Sequence, residues 1–477
     1  MFDEEDDFDF YEIYQLVSKF EEMIDKDVYH FFDVGEIEDI IDYYFQENNT
    51  VRAKQAVNYA MDHYPDYTGI LLRKAYLLIS ENKLDQAKRI ILEIEFIEPD
   101  NSEIFMAKGL IYSREKMPEK ADIEFGKAIK ETKFLAETCL DIGFEFENQN
   151  NFEFAIKYFK KALSNKPEDD TPIYELAFCF ESLNQYDEAI QFYTEFLDKH
   201  PYSLAAWFNL GLMYNAVELY EKAIEAYDFV IAIDETFAIS YFNKAHSYAN
   251  MGMYLEAINF YRQTFLYEKP DAITYFYIGD CYQKLNNHTD AVKSFLKSLE
   301  FDSGFADAWL VMGVSYGQLG NHHDAIRSVE KALSIEKNNM DYIYVLAGIL
   351  AKANRIKEAE NAYKKIISSS SVNPEVYLDY ARLVEENRST KEAIKILHEA
   401  LLKFPDNPLL LFRLSAYNFI AGMKKEALLL FENALHLDYD SYAKVVPYAP
   451  NMLEDTEVIN ILENVGNEIQ KKPRKRN

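Results

Sequence analysis

The sequence predicts an all-α chain, a solenoid of antiparallel helix pairs, and three observations carry that prediction. Alanine stands at positions 53, 87, 121, 155, 189, 223, 257, 291, 325, 359, 393 and 427, each 34 residues after the last with no insertion or deletion. A period of this length is the mark of a repeat architecture in which every unit is one supersecondary element. Twelve residues ahead of each alanine sits a second residue, small in most units (Ala75, Gly109, Gly143, Ala177, Gly211 and onward to Ser415) and large only at Ile41. Two helices must approach closely there. Within a unit the apolar spacing is helical: Trp207, Leu210, Gly211 and Tyr214 share one face at i, i+3, i+4 and i+7, and Ala223, Ala226, Tyr227 and Val230 share another.

Residues 1–33 open with an acidic stretch, Asp3-Glu4-Glu5-Asp6-Asp7, and continue into Phe10, Ile13, Val17, Phe20 and Ile24 at helical spacing. That stripe is expected to form a capping helix, because the end of a solenoid otherwise exposes apolar surface. From residue 34 to residue 441 the register defines twelve units: 34–67, 68–101, 102–135, 136–169, 170–203, 204–237, 238–271, 272–305, 306–339, 340–373, 374–407 and 408–441. Each is read as helix A followed by helix B. Pro65, Pro99, Pro167, Pro201 and Pro405 recur at one point near the end of helix B, where a ring without an N–H stops the helix. Aromatic ladders fill the space beside the small residues, Tyr112, Phe146, Phe180 and Tyr214 in helix A and Phe125, Phe159, Tyr193 and Tyr227 in helix B. Residues 442–470 hold Pro447 and Pro450 and then Val458, Leu462, Val465 and Ile469 on one stripe, a second cap. The last residues, 471–477, form a basic tail of Lys471, Lys472, Arg474, Lys475 and Arg476, expected to be a solvated end.

This pattern resembles the tetratricopeptide repeat family, whose consensus places Trp, Leu, Gly and Tyr in helix A and Ala, an aromatic, Ala and Pro in helix B. Ala206-Trp207-Phe208-Asn209-Leu210-Gly211, followed by Tyr214, Ala223 and Tyr227, is the fullest match. The resemblance implies a right-handed superhelical solenoid and a role in binding proteins or peptides. Repeat 1 departs at Ile41, and repeats 10 to 12 replace the helix A aromatic by Leu350, Val384 and Asn418.

Composition narrows the partner. A chain that is 49% hydrophobic and 15% aromatic has the apolar surface to fold, while 81 acidic against 50 basic residues give a net charge of −31 that repels nucleic-acid phosphates. Every apolar run is broken by charge well short of the ~20 residues that cross a bilayer. Soluble, cytoplasmic placement is expected, with Cys139, Cys179 and Cys281 as reduced core residues because no C-x-x-C pair occurs.

No chemistry of catalysis is legible. Phosphate-loop, dinucleotide and H-E-x-x-H elements are absent, so neither a cofactor nor a metal is expected, and the chain reads as no enzyme. The string Gly313-Val314-Ser315-Tyr316-Gly317 falls inside helix A of repeat 9, whereas a nucleophile elbow needs a strand-to-helix turn. His322 and His323 are expected in the loop before a helix B.

A partner would meet the side of helix A turned away from its core stripe of positions 4, 7, 8 and 11, and at 100° per residue positions 2, 5, 9, 12 and 13 face that way. The family resemblance implies that this side lines the concave groove. The candidate groove residues are Tyr174, Phe208, Phe242 and Phe276 at position 5, Asn209, Asn243 and Tyr277 at position 6, and Phe144, Phe178, Leu212, His246 and Asp280 at position 9. Acidic residues Glu38, Asp42, Glu103, Glu137, Glu147 and Glu181 join them toward the amino end, so the expected ligand is a protein segment with basic and apolar anchors. His246 reads as a solvated bystander. The position-5 aromatics have an alternative duty as groove walls, and the whole chain an alternative role as a permanent subunit of a larger assembly that uses its helix B face or its caps.

Overall fold

Helices form where the 34-residue register places them. The computed structural model describes residues 4–26, 28–369, 373–445 and 447–471, with 4–11, 470 and 471 described by backbone alone. Among the described residues there is no strand. Helices A and B alternate: Val34–Gln46 pairs with Thr50–His63, Leu204–Ala216 with Tyr220–Ile233, and Pro408–Ile420 with Lys424–Leu437. Asn and Ser caps start many of them, as where Ser203 accepts from the Ala206 amide and Asn321 from the Asp324 amide, satisfying donors that the first turn leaves open.

The small residue of helix A has a specific reason. A Cβ added to Gly109, Gly143, Gly211 or Gly279 would lie 2.3–2.5 Å from the ring of Phe125, Phe159, Tyr227 or Phe295, the aromatic sixteen residues later in helix B. Small and large residues are therefore matched pairs. Ile41 obeys the same rule in reverse, because the residue sixteen later is only Val57, and both are buried in one cluster. Every alanine of the register, from Ala53 to Ala427, is fully buried.

The turn between helices A and B repeats a backbone feature that composition does not advertise. Its residue takes a left-handed φ at Asn48, Asn82, Lys116, Asn150, Asn184, Glu218, Gly252, Asn286, Gly320, Asn354 and Gly422. Asn and Gly dominate because they enter that region at least cost. In repeat 11 the equivalent Arg388 stays at φ −134, and its guanidinium pairs with the buried Glu360 carboxylate at 2.8 Å.

The chain divides into two compact units. In the first, 1–240, the helix Glu4–Lys26 buries Val17 and Phe20 against Ile37, Ile40 and Ile41 of repeat 1. The capping stripe extends to Phe10, whose side chain lies outside the described residues. Successive repeats are stitched by bonds between residues slightly more than one period apart: Arg114 Nη1 donates to the Ile79 carbonyl at 2.9 Å, and the Tyr158 hydroxyl donates to Asp122 at 2.8 Å.

In the second unit, 241–477, the Tyr342 hydroxyl donates to Asp307 at 2.6 Å in the same manner. Two short 3-10 turns, Tyr439–Val445 and Pro450–Glu454, lead into a last helix, Thr456–Lys471, which buries Val458 and Val465 with Met452, Phe431 and Leu435. Lys472, Arg474, Lys475 and Arg476 of the basic tail lie outside the described residues.

One sequence expectation changes here, and one substitution in the aromatic ladder carries a cost. His322 and His323 are the first residues of the helix His322–Ile335 rather than a preceding loop, because Asn321 supplies the cap. Asn418, at the position of the aromatic ladder, is fully buried with neither end of its amide hydrogen-bonded.

Candidate protein-binding surface

Twelve residues were expected to face a groove, and the two units treat them differently. In the first unit Tyr174 and Phe178, both on helix A of repeat 5 (Thr171–Ser182), are 39% and 50% exposed. Phe144 and Leu212 are half-buried. Phe208 and Asn209 do not reach a groove at all. Phe208 is 7% exposed and packs on Tyr227 and Phe237, with ring centroids 6.1 and 5.4 Å away. Asn209 is 2% exposed and donates Nδ2 to the Ala205 carbonyl at 2.9 Å, a bond inside its own helix.

The physical reason is that helix A is buried on a broader arc than the pattern of a single unit suggests. Positions 3 and 10 are closed as well: Ile104, Ala206 and Ala308 at position 3, and Cys179, Met213 and Cys281 at position 10, all lie in the core. Burying both flanks draws the position-5 and position-6 side chains into the walls.

In the second unit Phe242, His246 and Tyr277 form one aromatic cluster with Tyr261. Phe242 stands edge-on to Tyr261 at 5.4 Å and to Tyr277 at 5.7 Å, and Tyr277 stacks on Tyr261 at 5.8 Å. His246 is no solvated bystander. Its Nδ1 lies 2.9 Å from the Tyr261 hydroxyl, its ring meets Tyr277 edge-on at 4.8 Å, and burial pushes its pKa down. Phe276 packs on Phe305 at 4.8 Å, while Asn243 and Asp280 are half-buried.

The acidic residues also separate into two groups. Glu38 and Asp42 already have a cation. Arg73 donates from Nη1 to Glu38 at 2.7 Å and from Nε to Asp42 at 2.9 Å. Burial of the guanidinium works against its charge, but Asp42 and then Glu38 outweigh it and carry the Arg73 pKa up. These two carboxylates are spent on the fold.

Farther along the first unit the carboxylates have no such cation. Among the described residues Asp141, Glu147, Glu175 and Glu181 make no ion pair, and Glu137 reaches only Lys166, at 3.7 Å. Glu147 is pushed up to about 7, first by burial and then by the Glu175 carboxylate beside it. Burial and then Glu137 raise Asp141, and burial raises Glu103 against the pull of Arg73. A cavity of about 370 Å3 lies between repeats 3 and 4, with Glu103 and Asp141 on its wall, Met106 beneath them and the exposed Phe134 at its rim.

Helices A of repeats 3, 4 and 5 (Ser102–Arg114, Leu135–Asn148, Thr171–Ser182) thus carry under-neutralised carboxylates, with exposed rings at Tyr174 and Phe178 on the third of them and at Phe134 ahead of the second. Such a surface grips a cation on an apolar stem. Asp141 and Glu175, both at position 6, were not singled out by the sequence reading. The signal was present: each stands where repeats 3 and 6 carry Ala107 and Asn209.

Gly313-Val314-Ser315-Tyr316-Gly317 lies within the helix Ala306–Gln318, where the Ser315 hydroxyl is buried and accepts from Gln283 at 3.0 Å. Among the described residues no group of three His, Cys, Asp or Glu side chains is placed to hold a metal ion, and no helix is long and apolar enough to cross a membrane. Cys139, Cys179 and Cys281 are buried and unpaired, and burial pushes their thiols up to about 11, 12 and 12.

Sequence profiles described as tetratricopeptide repeat match residues 44–111, 140–203, 180–235, 238–264, 272–305 and 306–339. No curated protein matches the sequence. Among solved structures, the chain is similar to the C-terminal part of a TPR repeat-containing protein from Cytophaga hutchinsonii, at 18% identity and a TM-score of 0.43 over 54% of this chain and 99% of that one. It is similar to YrrB, described as a TPR protein with an unusual peptide-binding site, at 16% identity and a TM-score of 0.34 over 41% and 97%. The APC/C hetero-tetramer Cut9-Hcn1 is a third, at 14% identity and a TM-score of 0.39 over 89% and 95%.

Proposed function

The chain belongs to the tetratricopeptide repeat family, and we propose that it is a protein-interaction scaffold whose first unit holds a partner segment on helices A of repeats 3 to 5. The segment carries Lys or Arg beside aromatic or aliphatic anchors. One observation supports this above the others: Phe178, half exposed, stands three residues from Glu175 on the helix Thr171–Ser182, and Glu175 lies beside Glu147 of the preceding helix A, neither carboxylate making an ion pair among the described residues. An exposed ring framed by charge is how binding surfaces concentrate their affinity. We extend the family reading to all twelve units from 34 to 441 on their shared register. We place the protein in the cytoplasm, where three unpaired buried cysteines stay reduced.

The test is fluorescence polarisation of the full chain with a labelled, amidated peptide of alternating Lys and Phe. Phe178→Ala is expected to cost about 1–3 kcal/mol of binding, with the fold unchanged because the side chain is largely outside the core. Equal binding of the parent and Phe178→Ala, or equal binding of a Glu-for-Lys peptide, contradicts the proposal.

A second reading, a permanent subunit of an assembly, has one observation in its favour. On the helix Leu84–Ile97 the side chains of Leu92, Phe96 and Ile97 are exposed, Phe96 by 93%. Size-exclusion of gently lysed cells separates the readings: a scaffold elutes largely free, and a subunit elutes with its complex.

A further inference from the structure

In a chain of net charge −31, two cations that make no ion pair among the described residues line one cavity at the end of the second unit. Arg413, on helix A of repeat 12 (Pro408–Ile420), lays its guanidinium carbon 3.3 Å from the centre of the Tyr448 ring and donates from Nη1 to the Leu378 carbonyl at 3.2 Å. Lys444 stands in the turn Tyr439–Val445 on the other side of a cavity of about 220 Å3. Neither makes an ion pair among the described residues. Leu378, Leu409 and Tyr448 make the walls, and among the described residues no carboxylate lines the cavity.

A neighbouring cation shows what a satisfied one looks like here. Arg382 donates to Asp379 at 2.9 Å, and the other Asp379 oxygen takes the Tyr344 hydroxyl at 2.5 Å. Arg413 has no equivalent of Asp379. Beside it the Tyr417 ring stands edge-on to Tyr448 at 6.1 Å. A half-buried guanidinium held flat by one ring keeps most of its donors for a planar anion, and guanidinium–carboxylate pairing is the geometry that suits it.

We propose that this cavity receives an acidic side chain of a protein partner, an Asp or Glu flanked by aliphatic residues. Arg413 supplies the fork, Lys444 closes the other side as a point charge, and Leu378 and Leu409 accept the flanking apolar groups. The site is independent of the basic-segment surface in the first unit, and it gives a partner two recognition elements of opposite charge.

The probe is an N-terminally labelled, C-terminally amidated peptide with an internal Leu-Glu-Asp-Leu core, titrated into the full chain by fluorescence polarisation. Its Leu-Gln-Asn-Leu counterpart is expected to bind at least about tenfold more weakly, and Lys444→Glu and Arg413→Gln to weaken the acidic peptide by at least about tenfold. Lys444 is exposed, so its reversal leaves the fold intact even if the Arg413 variant is destabilised. The Lys-Phe peptide serves as the internal control and is unaffected by Lys444→Glu, which separates failure here from failure of the first-unit reading. The proposal is overturned by no saturable binding of the acidic peptide, by equal binding of the two cores, by Lys444→Glu binding as the parent does, or by binding that appears only with a free C-terminal carboxylate.

Discussion

Glu147 is where a single residue sets a condition on function. Its carboxyl, held up to about 7 by burial and by Glu175, is half-protonated near neutrality and can answer a Lys only once it has lost that proton. Binding of a basic segment therefore tightens as pH rises from about 6 to about 8, and Glu147→Gln flattens the profile. A pH series of peptide titrations on the parent and the variant checks this. The same group acts on stability with the opposite sense. Its folded pKa lies above the ordinary 4.5, so the folded chain holds a proton that the unfolded chain releases between about 4.5 and about 7. Stability from this group is present below that window and lost as pH rises through it.

Asn418 is a residue-scale cost of another kind. Both ends of its buried amide lack partners, and a buried amide without hydrogen bonds costs about 1–3 kcal/mol. Repeats 10 and 11 place Leu350 and Val384 at the same position, both buried. Asn418→Leu is accordingly expected to raise stability by about 1–3 kcal/mol in chemical denaturation. An unchanged or lowered midpoint contradicts the view that the amide is unsatisfied.

At the scale of the element, the hairpin is a device for matching a small residue on helix A to a large one on helix B, with an alanine sealing the contact. Overpacking that seal costs about 1–3 kcal/mol, so Ala223→Leu should lower the thermal midpoint, and an unchanged melt would place the contact elsewhere. This much was legible because the matched residues sit on one chain segment at fixed spacing: Gly143 and Phe159, Gly211 and Tyr227, even Ile41 and Val57 can be paired by counting.

The candidate surface was less so. Whether Phe208 is wall or surface depends on how Tyr227 and Phe237, from the second half of its own repeat, cover it, and the wheel of one helix does not contain those neighbours. Charge misled in a similar way. Glu38 and Asp42 look like a ligand's acidic target until Arg73, one repeat later, is seen between them. The left-handed turn residue went unread because Asn and Gly share the position with Lys116 and Glu218, which blur the pattern.

For the whole molecule, the repeated frame sets the fold of each repeat, while the proposed binding draws on the few positions where the frame is broken: an exposed Phe178, carboxylates without cations, and cations without carboxylates. A net charge of −31 favours encounter with basic partners and makes it sensitive to salt. The central claim is that helices A of repeats 3 to 5 form the surface that holds a partner. Hydrogen–deuterium exchange of the full chain with and without the Lys-Phe peptide tests it most directly. Slowed exchange is expected in Ser102–Arg114, Leu135–Asn148 and Thr171–Ser182, with the paired helices Pro118–Glu131, Phe152–Asn165 and Tyr186–Leu197 unchanged. Protection confined to those B helices, or to the exposed face of Leu84–Ile97, would contradict it.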